Sequence, residues 1–360
     1  MQHKSLHESI FVLDSHCDTP IRLLEGADIN NKSDQGHFDF VRMKEGGLNA
    51  AFFAIYTPNT IDDDTATRRA MQMIARTYDA VEASNGKVAV ALDAQDAKDN
   101  FEAGILSVFL GMENGLPIQD DLSLLRLFYD MGVRYMTLTH TGNNNICDSC
   151  ATKEKRWNGL SPFGIEVVNE MNRLGMLVDV SHISDESFRD VIKYSTSPVV
   201  ATHSCCRSIA NHPRNLTDQM IKDIAATGGV VQINFYPPFL NSEYAKEFWP
   251  LSDVFEEIEK LWKMNHDLYN DAYIKAKNEM LALKRPSYKE VVDHIDHVVK
   301  LVGPDYVGIG TDFDGIEVTP EGLEGVDKLP LITEELKVRG YSDDNIKKIL
   351  GENFLRLLDY

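Results

Sequence analysis

The 360-residue sequence lacks any apolar run of the roughly 18 residues that a membrane-spanning helix needs. Positive charge is scarce, because 36 Lys and Arg residues are set against 56 Asp and Glu residues, for a net charge of −20 at pH 7. Nucleic-acid-binding proteins need a basic face, so this balance excludes DNA and RNA as partners. Cysteine is rare and odd in number, with five residues, which argues against a disulfide framework and favours a reducing compartment.

Sequence signatures of several enzyme classes are also missing. No Gly-x-Gly-x-x-Gly loop follows a strand, no Walker-type phosphate loop is present, and no Gly-x-Ser-x-Gly nucleophile elbow occurs. These absences argue against nucleotide chemistry and against that class of serine hydrolase. The first ten residues contain no apolar signal-peptide core, which predicts a cytoplasmic protein and leaves open a trimmed secreted or periplasmic form.

Eight strand-like runs rich in Val, Ile, Leu and Phe alternate with helical patterns. Runs that are apolar along their whole length indicate strands buried on both faces, as in a parallel barrel. No Gly, Ser or Pro linker divides the chain, so we predict one α/β domain over residues 1–360, a (β/α)8 TIM-type barrel. The runs lie near residues 10–15, 48–56, 106–112, 133–139, 176–181, 198–202, 229–235 and 306–311.

The helical patterns include one unusually long stretch. Periodicity predicts helices over Thr65–Val81, Leu122–Met131, Pro162–Leu174 and Asp218–Ala226. Between the seventh and eighth strands, residues 240–300 are charged and mostly helix-like, which predicts a long helical insertion. Such an insertion either caps the site, forms a dimer contact or is a solvated excursion, and the sequence leaves these three readings open.

Polar motifs follow five of the apolar runs, where the carboxyl ends of parallel strands converge. The first and third runs end in His16, Asp18 and Glu113. Two later runs end in His182 and His203. Imidazole and carboxylate groups meeting at one rim are what a metal-dependent hydrolase requires, and together these five residues predict two half-sites for Zn²⁺ that share Glu113.

Two aspartates follow the last strand, in Gly310-Thr311-Asp312-Phe313-Asp314. Asp312 is a candidate general base or an additional metal ligand. Asp314 lies two residues further on, and we expect it to orient either Asp312 or the loop. Each of these motifs taken alone is also typical of a structural pair at a strand end, so the prediction depends on the joint pattern.

Other polar groups carry less weight. Cys147-x-x-Cys150 has zinc-like spacing but no second pair nearby, and Cys17 faces away from His16 and Asp18, so we expect packed thiols. His294 and His297 lie on a helical pattern before the last strand. We expect both to be structural and paired with Asp293 or Asp296.

Taken together, these motifs resemble those of the membrane (renal) dipeptidases and their bacterial relatives, which belong to the amidohydrolase-like zinc barrels. The resemblance covers nearly the whole chain in the family's order. A His-x-Asp motif on the first strand, rather than His-x-His, favours the dipeptidase branch. The matching motifs are Asp14-Ser-His-Cys-Asp-Thr-Pro20, Gly111-Met-Glu113, Leu138-Thr-His140-Thr, Asp179-Val-Ser-His182, Thr202-His203-Ser204, Pro213-Arg214-Asn215, Asn234-Phe-Tyr236 and Gly308-Ile-Gly-Thr-Asp-Phe-Asp-Gly315.

The resemblance implies a zinc dipeptidase that uses a hydroxide bridging two Zn²⁺ ions per chain. It places His16, Asp18 and Glu113 on one ion and Glu113, His182 and His203 on the other. One departure is Asn114, where relatives often carry Gly or another small residue.

The resemblance also implies roles around the substrate, a dipeptide with a free C-terminal carboxylate. His140 would contact the scissile carbonyl, Arg214 the carboxylate, and Asp312 would carry the proton. Catalytic roles thus fall on Asp312, Glu113 and His140, and substrate binding on His140, Arg214, Tyr236 and Asp312.

The family analogy further implies a possible homodimer, and this chain shows no C-terminal lipid-anchor tail. Two other functions stay open at this stage. One is a related metal-dependent amidohydrolase acting on a non-peptide amide, such as an N-acyl amino acid or a lactam. The other is a non-catalytic metal-binding barrel.

Overall fold

A barrel of eight parallel strands forms the centre of the protein, in a computed structural model that describes residues 5–359 apart from 263–274, 276–277 and 280–281. The predicted (β/α)8 fold and all eight predicted strands are confirmed, with hydrogen-bonded neighbours in the order β1-β2-β4-β5-β6-β7-β8-β9. The strands are β1 (Leu13–Cys17), β2 (Ala50–Tyr56), β3 (Val88–Val90), β4 (Leu106–Glu113), β5 (Val133–Thr137), β6 (Leu177–Asp179), β7 (Val199–Ala201), β8 (Val230–Ile233) and β9 (Val307–Ile309).

The barrel closes where β9 meets β1. The Asp312 amide donates to the His16 carbonyl at 3.0 Å, and the Asp18 amide donates to the Phe313 carbonyl at 2.7 Å. The buried Asp14 carboxylate adds a side-chain connection, because it accepts from the Thr311 amide at 2.8 Å and the Thr311 hydroxyl at 2.6 Å. Closure therefore brings the first and last polar motifs side by side.

Strand β3 is an addition that the sequence did not predict. It pairs with the first residues of β4, from Leu106 to Val108, while β5 pairs with β4 from Leu110 onward. Because β2 occupies the other edge of β4 along its length, β3 and β5 share one edge. With three residues, β3 is too short to show an apolar run.

The helices surround the barrel, and their ends follow local chemistry. Asp62, Ser161 and Thr217 each accept a hydrogen bond from a first-turn amide, as N-cap residues do. The four predicted helices are confirmed. The helices are α1 (Leu6–Ser9), α2 (Thr19–Leu24), α3 (Phe40–Glu45), α4 (Asp63–Ala83), α5 (Ala94–Ala103), α6 (Leu122–Asp130), α7 (Pro162–Leu174), α8 (Asp185–Tyr194), α9 (Asp218–Ala226), α10 (Pro237–Leu240), α11 (Ser242–Trp262), α12 (Tyr288–Val302), α13 (Pro330–Val338), α14 (Asp343–Lys347) and α15 (Asn353–Leu355).

Apolar side chains form three clusters: one between strands and helices, one inside the barrel, and a smaller one that includes Tyr236 and Phe248. Inside the barrel, the rings of Phe52 and Phe109 stack at 4.7 Å and Phe52 contacts Tyr135 at 5.2 Å. Gly111 makes this packing possible, because a Cβ there would lie 2.0 Å from the Tyr135 ring. The aromatic layer is the floor on which the polar residues at the carboxyl rim rest.

The predicted insertion follows β8 and contains α10, α11 and α12. Part of the insertion lies outside the described residues. The prediction that it caps the site or forms a dimer contact therefore falls partly on residues that the structure does not describe. The described part includes Phe239 and Trp249, which line the cavity discussed below. No described helix is both long and apolar enough to cross a bilayer.

The histidines of α12 are structural, as predicted, but the predicted partners are wrong. His294 accepts from the Cys206 amide at 3.0 Å and contacts the Leu240 carbonyl at 3.0 Å, while His297 lies 2.8 Å from Asp218. Asp293 and Asp296 instead accept from Arg339. Arg339, which lies 46 and 43 positions from the two aspartates, competes for their carboxylates. Helical spacing alone cannot reveal such a distant partner.

His294 makes the fold sensitive to acid. Burial lowers its pKa to about 4. As the pH falls below about 6.5, His294 therefore becomes protonated in the unfolded chain but stays neutral in the folded chain. The free energy of unfolding is therefore higher by on the order of 3 kcal/mol above about pH 6.5, and this difference is lost as the pH falls toward about 4. We expect wild type to lose more stability than His294→Gln between about pH 7 and about pH 4.5 in urea unfolding. If the difference in unfolding free energy between wild type and His294→Gln stays constant as the pH falls, the prediction is wrong.

Candidate metal centre

The five predicted ligands come together at the carboxyl rim, around the Glu113 carboxylate. His16 lies in β1 and Asp18 follows it, Glu113 ends β4, and His182 and His203 follow β6 and β7. All five are buried or nearly so, with side-chain exposures between 0 and 12%. Residues up to 187 positions apart in sequence are thus neighbours, and the rings of His16 and His203 stack at 3.7 Å.

One side of the cluster has the spacing of metal ligands. The Nε2 atoms of His182 and His203 lie 3.2 and 3.3 Å from the same Glu113 oxygen, Oε1, and 2.9 Å from each other. Tetrahedral zinc with bonds of about 2.0–2.1 Å places its ligand atoms about 3.3 Å apart. The converging ring nitrogens and the shared carboxylate oxygen can act together as donors to one cation, and without a cation one ring can donate a hydrogen bond to the other.

The other side surrounds His16. Its Nε2 lies 3.5 Å from Asp18 Oδ2, 3.7 Å from Glu113 Oε2 and 3.9 Å from Asp312 Oδ1. None of these is a hydrogen bond, and both His16 Nε2 and Asp18 Oδ1 are buried without a partner. Buried polar atoms normally find a partner, so the residues present fit a bound cation on this side as well.

Charge distribution supports the same reading. Burial alone would raise the pKa of Glu113, but the imidazoles of His16 and His140 outweigh it and hold that pKa well below its usual range. Burial and the Arg214 charge lower the pKa of His182, and burial with His16 lowers that of His203. His182 and His203 are thus held neutral beside an ionised Glu113, which is the protonation pattern that metal ligands require. On the other side, Glu113 and Asp18 outweigh burial and raise the pKa of His16, and burial raises the pKa of Asp18, so a cation there would displace a proton.

His203 is held in the ligand tautomer by a relay of hydrogen bonds. The Thr202 hydroxyl donates to Asp179 Oδ2 at 2.6 Å, and an ionised carboxylate only accepts. With its proton committed, the Thr202 oxygen accepts from His203 Nδ1 at 2.8 Å. This leaves the lone pair of His203 on Nε2, pointing toward Glu113. On His16 the corresponding contact is from Nδ1 to the Tyr135 hydroxyl, at 2.8 Å.

The relay predicts a specific metal-binding defect. Thr202→Val keeps the shape but removes the hydroxyl, so zinc affinity should fall about 10- to 100-fold. Thr137→Val is the matched control, because Thr137 donates to the same Asp179 oxygen at 2.5 Å and does not contact His203. Thr202→Ser should restore affinity, as measured by competition with a chromogenic chelator. Equal losses in both valine variants would assign Asp179 a purely structural role.

Several rim residues adopt strained backbone conformations. His182, Asp312 and Asp314 have φ angles of 71°, 62° and 66°, in the left-handed region that non-glycine residues seldom occupy. Such conformations concentrate at functional sites, where surrounding contacts hold them in place. Asn114 also has a positive φ, 78°. Asn tolerates this region better than most residues, so Asn in place of the Gly or other small residue of relatives is compatible with this loop conformation.

The two aspartates after β9 occupy different environments. Asp312 points into the cluster and accepts from the Asn234 side chain at 2.8 Å. Asp314 points away from it, accepting from Thr19 at 2.9 Å, Arg22 at 3.1 Å and the His37 amide at 2.6 Å. Of the two alternatives for Asp314, the structure therefore supports its role in orienting the loop.

The predicted substrate-binding residues occupy distinct positions. His140 follows β5 and lies 3.7 Å from Glu113 Oε1, facing the cluster. Tyr236 follows β8 and donates its hydroxyl proton to Glu317 at 2.9 Å. Arg214 is 5% exposed and donates to the Ser204 hydroxyl and the His203 carbonyl at 2.5 and 2.6 Å, while its Nε is buried without a partner.

A cavity of about 330 Å³ opens above the cluster. It gives access to both sides of the candidate metal centre and has aromatic rings in its wall. Arg214 lies behind its wall rather than on it. The lining residues are Asp18, Ile21, Tyr56, Glu113, His140, Thr141, His182, Tyr236, Phe239, Trp249, Asp312, Gly315, Ile316 and Glu317.

Sequence reasoning missed the residues that support the ligands. Asp179 and Asn234 appeared only as parts of longer motifs, although both are buried polar residues at strand ends, a signal that could have identified them. Tyr135 and Trp249 carry no such signal, because an aromatic residue in a strand or helix is ordinarily part of the core. The five cysteines are free, and Cys17 and Cys147 are fully buried.

A parallel barrel with a cluster of buried imidazoles and carboxylates at its carboxyl rim defines a metal-dependent hydrolase. The model of the membrane dipeptidase family, peptidase family M19, matches residues 1–360. The chain belongs to this family, and it is a metallopeptidase that hydrolyses peptide bonds.

Individual relatives agree with this assignment. Dipeptidase verJ of Clonostachys rogersoniana is 32% identical over 333 residues, which cover 90% of this chain and 75% of that protein. The probable dipeptidase PvdM from Pseudomonas aeruginosa has a similar structure, with a TM-score of 0.86 and 28% identity over 98% of this chain and 96% of that one. A metallopeptidase from Rhodobacter sphaeroides, solved with a phosphinate mimic of L-Ala-D-Ala, has a TM-score of 0.81 and 27% identity over 97% and 99% of the two chains.

Proposed function

We propose that this metallo-dipeptidase uses two Zn²⁺ ions to cleave dipeptides that have a free C-terminal carboxylate. The observation that carries the proposal is the two-sided arrangement around Glu113, with imidazoles on Oε1 and the unpartnered His16 Nε2 on the Oε2 side. Glu113, His182 and His203 would hold one ion, and His16, Asp18 and Glu113 the other. Imidazole and carboxylate ligands are those that zinc prefers in catalytic sites.

When bound, the two zinc ions would lower the pKa of a shared water to about 7 and polarise the scissile carbonyl. The protein residues would then position the substrate and move protons. Asp312, oriented by Asn234, would accept the proton of the attacking water and deliver it to the leaving amine. Burial lowers the pKa of His140, so its neutral ring would donate a hydrogen bond to the carbonyl oxygen as negative charge develops there.

The size of the cavity supports a small substrate. Its volume of about 330 Å³ is at the lower end of the range for small-molecule sites, and the rings of Tyr56 and Trp249 are part of its wall. Tyr236 would contact the substrate from the same wall. Arg214 would bind the C-terminal carboxylate by exchanging its neutral partner, the Ser204 hydroxyl, for a charged one.

The role of Arg214 can be tested by substrate choice. Arg214→Ala should raise KM for free-carboxylate dipeptides about 10- to 100-fold, since charged hydrogen bonds contribute about 1.5–3 kcal/mol. C-terminally amidated dipeptides, which lack the charge, should be affected little. Arg207→Ala is the matched control, because Arg207 lies nearby but pairs with Asp185 at 2.8 Å. An equal loss on free and amidated substrates would rule out carboxylate binding.

The deciding experiment for the function is hydrolysis of L,L and L,D dipeptides with zinc added and then chelated, alongside metal content per chain. The L,D arm is included because a solved relative holds a mimic of L-Ala-D-Ala. Chelator-sensitive cleavage with about two zinc ions per chain would support the proposal. Two zinc ions without cleavage of any dipeptide would favour a non-peptide amide as substrate.

We further propose that residues 1–360 form a single catalytic domain, in a cytoplasmic protein that forms a homodimer. The single domain is supported by barrel closure, since β1 and β9 lie near opposite ends of the chain and meet through the Asp312 and Asp18 amides. The homodimer and the location follow only from the family analogy and from composition. Light scattering of the purified protein tests the dimer directly.

A further inference from the structure

We propose that the active-site cavity selects dipeptides that carry a cationic side chain, and that Glu317 is the residue that recognises it. This inference rests on the proposed dipeptidase function and names the substrate class for the same site. It comes from three features of the cavity wall that the metal chemistry does not use: a carboxylate outside the metal cluster, the lack of Lys or Arg among the described lining residues, and a set of aromatic rings.

Glu317 is one of the residues that line the cavity. Its Oε2 accepts the hydroxyl proton of Tyr236 at 2.9 Å, which holds the side chain against the wall. Tyr236 is itself 9% exposed, so its position is well determined by packing. Among the described residues, the second carboxylate oxygen of Glu317 has no hydrogen-bond partner. The carboxylate is therefore held in place through one oxygen, while the other can accept a hydrogen bond from a ligand in the cavity.

Within the described part of the chain, no Lys or Arg shares the cavity wall with the negative charge of Glu317. The nearby arginines are engaged elsewhere, because Arg285 donates to Thr319 at 3.1 Å and to Glu324 at 3.4 Å, and Arg22 pairs with Asp314. Asp18 and Glu113 belong to the groups that can hold a metal ion, whereas Glu317 does not. Its charge thus remains available to a ligand.

Aromatic rings beside Glu317 suit the rest of a basic side chain. The ring of Tyr236 lies 5.0 Å from that of Phe239 and 6.2 Å from that of Trp249, and the last two are 6.0 Å apart. Such a wall packs the methylene stem of Lys or Arg, and the ring faces attract the cationic end. A neutral apolar side chain would gain the packing but leave Glu317 without a partner.

The competing reading is that Glu317 binds the α-amino group, which every dipeptide has. The two readings differ in a measurable way. Recognition of the side chain favours lysine over norleucine, which has the same stem but no ammonium group. Recognition of the α-amino group affects lysine and norleucine peptides equally.

The experiment measures kcat/KM for Lys-Ala, Ala-Lys, Nle-Ala and Ala-Nle with zinc-loaded enzyme, where Nle is norleucine. We expect wild type to prefer lysine over norleucine roughly fivefold or more at one of the two positions, and the position identifies the subsite. Glu317→Gln should abolish this preference. Glu321→Gln is the matched control, since it removes an exposed carboxylate from the same loop region outside the cavity and should preserve the preference. Added salt should weaken it in wild type.

Each contrary outcome is equally clear. Equal use of lysine and norleucine peptides by wild type, or a preference that survives in Glu317→Gln, overturns the proposal. An equal loss on all four peptides in Glu317→Gln also overturns it and assigns Glu317 to the α-amino group. Hydrolysis of Nle-Ala by wild type tests the dipeptidase function independently, so failure of the side-chain proposal is distinguishable from failure of the function.

Discussion

Asp312→Asn should leave zinc content unchanged and lower kcat about 100- to 10,000-fold, which is the range expected for loss of a general acid–base group. The substitution is nearly isosteric, and Asn can still accept the hydrogen bond that Asn234 donates at 2.8 Å. Asp312 also adopts a φ of 62°, a conformation that Asn tolerates better than most residues. The backbone and the metal ligands should therefore stay in place while the proton carrier is removed.

The measurement pairs steady-state kinetics with metal analysis on the same samples. A variant that keeps about two zinc ions and near wild-type kcat would show that Asp312 carries no proton. A variant that loses zinc would assign Asp312 as a ligand instead, which its 3.9 Å distance from His16 Nε2 makes a real alternative. Asn234→Ala provides a graded comparison, because it removes the orienting hydrogen bond but leaves the carboxylate.

Glu113→Gln should cause the most complete loss, with bound zinc falling from about two ions per chain to well below one and hydrolysis becoming undetectable. Glu113 is the only residue in the cluster whose two oxygens face both sides, Oε1 toward His182 and His203 and Oε2 toward His16. Glutamine offers one oxygen and no charge. The buried imidazoles would then face an amide N–H₂ group, which cannot act as a metal ligand.

A one-sided variant provides the comparison. His182→Gln removes a ligand from the Oε1 side alone, so it should retain close to one zinc ion per chain, held by the His16 side. Metal content by mass spectrometry after dialysis against a weak chelator distinguishes the two cases. If Glu113→Gln retained as much zinc as His182→Gln, the bridging role of Glu113 would be wrong.

Much of the fold could be predicted from the pattern of residues, because barrel strands buried on both faces appear as uninterrupted apolar runs. Such runs predict all eight barrel strands, and helical periodicity predicts four of the helices. Strand β3 was not predicted, since three residues form no recognisable run and it pairs only with the start of β4. The partners of His294 and His297 were also missed, because nearby aspartates are taken by Arg339.

The candidate site shows the same division. The types of ligand and their places at strand ends could be inferred locally, because His16, Glu113, His182 and His203 each follow or end a buried run. Their distances could not, because each depends on how separate strands are staggered within the barrel. The φ angles of His182 and Asp312 likewise depend on contacts made after the strands end.

The sequence by itself determined the architecture and the residue types of the candidate ligands, since apolar periodicity and residue type are properties of short segments. Only the tertiary structure decided which carboxylate oxygen faces which histidine, which tautomer the Asp179–Thr202 relay imposes on His203, and that Glu317 lines the same cavity as Trp249. These features depend on distances between residues far apart in the sequence, from 23 positions between Asp179 and Thr202 to 97 positions between His16 and Glu113. Barrel closure sets those distances, and no local pattern encodes them.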